Sequence, residues 1–138
     1  MIHARCILLP AFVLLSQTAL AAPLVDEVRL RESGLHLLWQ ADLPLPKGDR
    51  VIGANLVDEV LYVTTDRGLL FSVTAENGLL RWGVRVTEPG YVIHHPAHLR
   101  ARDGNGPTVV TTTNGVHLLD RFSGEYVQRF TPAFAPAG

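Results

Sequence analysis

Two stretches of this chain read almost alike. Residues 61–82 run LYVTTDRGLLFSVTAENGLLRW, and residues 109–130 run VVTTTNGVHLLDRFSGEYVQRF. An internal repeat limits the fold more than any single residue does. Each copy is a unit that cannot bury its apolar surface alone, so neighbouring copies must stack. Gly68 and Gly115 stand 47 residues apart, whereas Trp39 and Trp82, like Ala54 and Ala97, stand 43 apart. The longer turn ARDGNG at residues 101–106 accounts for the difference.

Within each unit, short runs of Val, Thr, Leu and aromatic residues are cut by Gly, Asn, Asp and Pro, the pattern of strands joined by tight turns. Strands are expected at about residues 35–41, 53–56, 61–64, 69–74 and 79–86, then 92–99, 108–112, 116–120 and 126–130. Turns fall at Asp58-Glu59, Asp66-Arg67-Gly68, Glu76-Asn77-Gly78, Asn114-Gly115 and Ser123-Gly124. Four strands recurring every roughly 40–50 residues mark a β-propeller blade. The expected fold is all-β: a partial β-propeller of two four-stranded antiparallel blades, preceded by the last strand of another blade. Residues 35–130 hold these repeats. Residues 22–34 read as a linker whose start can turn helically before Gly34 interrupts it, and TPAFAPAG at 131–138 reads as a flexible tail.

The chain begins MIHARCILLPAFVLLSQTALAAP. His3 and Arg5 precede an apolar run at residues 6–15, and Ala19-Leu20-Ala21 supplies the small-x-small pattern that signal peptidase reads. Residues 1–21 are therefore expected to be a signal peptide, cleaved after Ala21, with delivery to the periplasm or cell envelope. The single cysteine, Cys6, lies in the segment to be removed. A mature chain without cysteine has no disulfide scaffold, thiol nucleophile or cysteine metal site. It carries 11 Lys+Arg against 13 Asp+Glu once Arg5 is gone, with no basic patch or polybasic run. Nucleic acid is not an expected partner, and no integral membrane segment is expected after signal removal.

The turn residues resemble the repeat of pyrroloquinoline-quinone-type (PQQ-like) β-propellers, written G-x-x-x-A-x-D-x-x-T-G-x-x-x-W. Gly68, Ser72, Thr74, Asn77, Gly78 and Trp82 occupy that frame, with Ser72 for the alanine, Thr74 for the aspartate and Asn77 for the threonine. In the second copy Gly115, Asp120, Ser123 and Gly124 match, Gln128 stands at the tryptophan's place, and the span is one residue shorter. SGLHLLWQADLP at residues 33–44 is similar to the closing strand of a preceding blade, with Trp39 as its tryptophan. The resemblance gives these positions structural roles. The Asp or Asn binds nearby backbone N–H groups, glycine closes the turn, and the indole lies against the next blade and donates to a backbone carbonyl there. It implies two kinds of relative: non-catalytic envelope propellers that scaffold outer-membrane assembly, and quinone-dependent dehydrogenases, which use calcium and a full ring of blades.

Candidate chemistry is sparse. HHPAH places His94, His95 and His98 close together, and imidazoles so gathered can hold zinc or copper. Neighbouring strand residues point to opposite faces, so only His95 and His98 are candidate metal ligands, and only if the chain bends at Pro96. The carboxylates Asp58, Glu59, Asp66, Glu76 and Asp120 sit in expected turns. Ser72 and Ser123 lack a nucleophile elbow. No catalytic residue and no cofactor is expected.

A closed propeller needs about four to eight blades. Two blades leave apolar faces for something else to cover: further blades of a longer chain, copies of the same chain in a ring, or another protein. The expected function is a secreted, non-enzymatic binding or scaffolding role in the envelope, as a fragment of a longer propeller. The alternative is the N-terminal part of a PQQ-dependent oxidoreductase.

Overall fold

The computed structural model describes residues 25–101 and 104–131. The expected signal peptide and residues 132–138 of the expected tail lie outside them. The chain divides into two compact units, Met1–Leu35 and His36–Gly138. In the first, a helix α1 spans Glu27–Glu32. Asp26 caps it by accepting from the Val28 N–H at 2.9 Å. It stops at Gly34, with φ 72°, where the Gly34 N–H donates to Arg31 O and the Leu35 N–H to Leu30 O. These two bonds close a Schellman motif. The stretch expected as linker thus contains one helical turn and a half.

In the second unit, short β-rich runs joined by tight turns build two sheets. Strands β1 (Val51–Val57), β2 (Val60–Thr65), β3 (Leu69–Thr74) and β4 (Leu80–Arg85) form one antiparallel meander. Strands β5 (Ala97–His98), β6 (Thr108–Thr112), β7 (Gly115–Leu119) and β8 (Tyr126–Phe130) form the other. The all-β fold with two four-stranded blades is as expected.

The two sheets match down to their irregularities. In each, one extra residue interrupts the outer pair. Ser72 faces Trp82 and Val73 faces Leu80, while Leu118 faces Gln128 and Leu119 faces Tyr126. Gln128 therefore holds the register position of Trp82. The first pairs slip in the same way. Val51 faces Thr65 and Gly53 faces Thr64; in the second sheet Ile93 bridges Thr112 before Ala97 faces Val109. The missing residue of the second copy is at the β6–β7 turn. Thr113-Asn114 there replaces Asp66-Arg67-Gly68, so Gly115 takes the strand position of Leu69 rather than the turn position of Gly68.

Two expected strands change. Residues 35–41 join no ladder, because no strand of a preceding blade lies beside them among the described residues. The expected strand at 92–99 shrinks to the two residues of β5. Pro96 has no N–H to donate, and the ladder breaks around it.

The sheets meet through a shared core. Val60, Tyr62, Leu70, Trp82 and Val86 pack with Ile93, Val110 and Leu119 of the second sheet. Full burial of each such leucine or valine contributes roughly 1.5–3 kcal/mol. On the first sheet's other face, Leu61, Val63 and Val73 line a cavity of about 220 Å³ with Trp39, Ala41 and Leu43.

Candidate functional site

The most elaborate polar cluster lies in the seam between the sheets. The tight β1–β2 turn puts Asp58 at φ 51°, the one positive φ outside glycine among the described residues. Asp and Asn tolerate that conformation better than other side chains. The turn aims the carboxylate across the seam. Asp58 Oδ2 accepts from His98 Nδ1 at 2.7 Å and from the Arg121 guanidinium at 3.4 Å, and Arg121 also reaches Glu59 at 3.4 Å. The hydrogen bond from His98 is the main reason that the Asp58 carboxyl is held below its ordinary 3.8.

Since the ionised carboxylate only accepts, His98 Nδ1 carries the proton. In the neutral ring Nε2 then accepts from the Tyr62 hydroxyl at 2.8 Å. The phenol oxygen lies 2.8 Å from Thr108 Oγ1, which donates to it. The chain runs Thr108, Tyr62, His98, Asp58, alternating between the sheets. Tyr62 is fully buried, and that burial raises its pKa above 10.0. Both His98 nitrogens are committed and the phenol is buried, so this geometry clamps two blades. A cavity of about 630 Å³ opens beside it, lined by Val57, Asp58, His98, Arg100 and Arg121 among others.

The tryptophans form the second set of ties. Trp39 Nε1 donates to Ala75 O at 2.7 Å, and Trp82 Nε1 to Arg121 O at 3.1 Å. Ala75 and Arg121 each follow the first residue of the β3–β4 or β7–β8 turn, so the hooks are equivalent. Beneath each indole lies a turn glycine. A Cβ on Gly78 would sit 2.5 Å from Trp39 Cε3, and one on Gly124 2.6 Å from Trp82 Cδ2. Both have positive φ, 73° and 74°. Glycine is thus required twice over, by the backbone and by the ring above it. The turns are held by different acceptors. Asn77 Oδ1 accepts from the Leu79 N–H at 3.1 Å. Asp120 Oδ1 accepts from the Phe122 and Ser123 N–H groups at 2.9 and 2.8 Å, which lowers the Asp120 pKa.

His95 is exposed, and His98 is engaged as described. Among the described residues no group of three or more His, Cys, Asp or Glu is placed to hold a metal ion. Nor, among them, is any helix long and apolar enough to cross a membrane. The sequence reading missed Tyr62, Thr108 and Arg121. Tyr62 carried one usable signal, a polar-tipped ring on an otherwise aliphatic core stripe where the second copy has Val109.

No family model matches this chain, and no curated protein matches it. Among solved structures it is similar to BamB from Moraxella catarrhalis, at 21% identity and a TM-score of 0.51. The match covers 72% of this chain and 28% of BamB, so the chain spans less than a third of that propeller. At this identity the likeness bears on fold alone: two adjacent blades of a β-propeller.

Proposed function

We propose that the chain is a non-enzymatic propeller-repeat protein of the cell envelope that works by binding other proteins or further blades. In this reading residues 1–21 direct export, residues 22–34 link, residues 35–130 are PQQ-like repeats, and 131–138 form a tail. The whole is part of a longer propeller.

One observation carries the proposal. Val109, Val116, Leu118 and Phe130 occupy, register for register, the places of Tyr62, Leu70, Ser72 and Val84. The second blade covers those places on the first, but among the described residues nothing covers them on the second blade itself. Phe130 keeps 46% of its surface exposed, and Val109, Val116 and Leu118 are half-buried. An apolar sheet face built to the pattern of a blade interface is a binding surface.

The test is the solution mass and hydrophobic-dye binding of residues 22–138, beside Leu118→Lys and Phe130→Lys. We expect the parent to associate or to bind dye, and the variants to do neither. A parent that stays monomeric and dye-free would overturn the reading.

A further inference from the structure

The geometry points to an acid-sensitive latch on the outer strand of the second blade, in which protonation of His117 expels Arg129 and loosens β8. The observation is independent of the binding face proposed above.

His117 is buried, 3% exposed, in the middle of β7. Its Nδ1 faces Arg129 Nε at 3.2 Å and its Nε2 faces Thr112 Oγ1 at 3.1 Å. A guanidinium can only donate, so Nδ1 must hold a lone pair and the neutral ring carries its proton on Nε2. That proton goes to Thr112 Oγ1, whose own hydrogen goes on to Asn114 Oδ1 at 2.7 Å. Donors and acceptors match along the whole chain, but in one protonation state of the ring.

Arg129 holds more than the histidine. Its guanidinium carbon lies 5.0 Å from the centre of the Tyr126 ring, and its terminal nitrogen donates to the Tyr126 hydroxyl at 3.3 Å. That hydroxyl donates at 2.9 Å to Arg85 O, at the end of β4 in the first blade. The ring of Tyr126 meets His117 edge-on at 5.9 Å. The chain His117, Arg129, Tyr126, Arg85 O therefore ties the outer strands of the two blades.

A proton on Nδ1 places an N–H against an N–H and a cation against a cation. The groups that face the ring from its neighbours are few. Strand β6 offers the Thr112 hydroxyl, and β8 offers Arg129 and Tyr126. The β4–β5 connection offers Glu88, which lines a cavity of about 180 Å³ with His117 and Arg129 and is itself exposed. Burial first, and Arg129 second, hold the His117 pKa below the ordinary 6.5. A depressed histidine stabilises the fold fully above 6.5, and that contribution is lost as pH falls from 6.5 through the lower folded-state value.

The test is an NMR titration of the full chain from neutral to mildly acidic pH, following the His117 ring and the exchange protection of the β8 amides. We expect His117 to titrate below 6.5 and the β8 amides to lose protection in step with it, while those of β2 and β3 do not. His117→Gln, whose amide oxygen can still accept from Arg129, is expected to remove the pH dependence. If that variant fails to fold, Arg129→Gln serves instead, since its amide can turn an oxygen toward the imidazolium. Protection of β8 that is flat through the His117 titration, a His117 midpoint at or above the ordinary value, or an unchanged acid loss in the folded variant would each overturn the latch.

Discussion

Trp82 and Gln128 stand at the same register position of the two blades, one on β4 and one on β8. Trp82 is 7% exposed, wedged against Tyr62 and hooked onto the second blade, whereas Gln128 is exposed on a face that no described residue covers. Trp39 is the intermediate case. It makes the same hook as Trp82, but from a segment that joins no ladder. The hook is thus a property of the receiving turn, with its glycine and its carbonyl. The depth of burial is a property of the strand that carries the indole.

The sharpest break in that comparison is to remove each indole. Trp82→Ala is expected to cost about 4 kcal/mol, as large aromatic truncations in a core do. Trp39→Ala should cost less than half of that. Urea denaturation of the two variants compares them directly. Equal losses would mean that residues 36–45 are as much a part of the first blade as its own strands.

The receiving turns give the next effect. Gly124→Ala combines a strained φ with a methyl driven into the Trp82 ring, for roughly 3 kcal/mol. Gly78→Ala meets the same geometry beneath Trp39, yet that ring sits on a segment that joins no ladder. Its loss should be smaller, and Trp39 fluorescence should shift toward that of an exposed indole. A Gly78→Ala loss as large as that of Gly124→Ala would show that the N-terminal segment does not yield.

These contrasts also mark what the sequence can and cannot reveal. The four-strand period and the turns were legible because Gly, Asn and Asp at Gly68, Asn77-Gly78 and Gly124 encode local backbone geometry. The strand expected at residues 35–41 was not, since a strand needs a neighbour and periodicity does not say whether one exists. The place of Gly115 was misaligned by one residue because only the ladder shows that the extra residue lies in the turn. The seam was invisible for another reason. Asp58 and His98 are 40 positions apart, and Tyr62 and Thr108 46, so their meeting depends on how blades stack. His98 drew notice as a metal candidate for its neighbours in sequence, while its partners came from the other blade.

The seam can be broken at its centre. Tyr62→Phe leaves Thr108 and His98 facing a missing hydroxyl and is expected to cost about 1–2 kcal/mol. Asp58→Asn keeps a side chain that tolerates the turn but removes the charge. The depressed Asp58 carboxyl stabilises the fold above its ordinary 3.8, and that contribution is lost as pH falls through its lower folded-state value. The variant should therefore flatten the acid limb of the stability–pH curve. An unchanged acid limb in Asp58→Asn would mean that His98 and Arg121 do not stabilise the carboxylate.

The smallest expected effect has the opposite sign. Ser72 is fully buried between the blades, paired in register with Tyr62 on one side and Trp82 on the other. Its hydroxyl has no hydrogen-bond partner. Leu118 fills the same register position in the second blade, on the open face. A buried hydroxyl without a partner carries a desolvation cost that a methyl group does not. Ser72→Ala should therefore stabilise the protein by up to about 1 kcal/mol, at almost no change in shape. A denaturation midpoint that falls on substitution would show that the hydroxyl is satisfied within the seam, and the blade interface would then be wetter than its aliphatic lining implies.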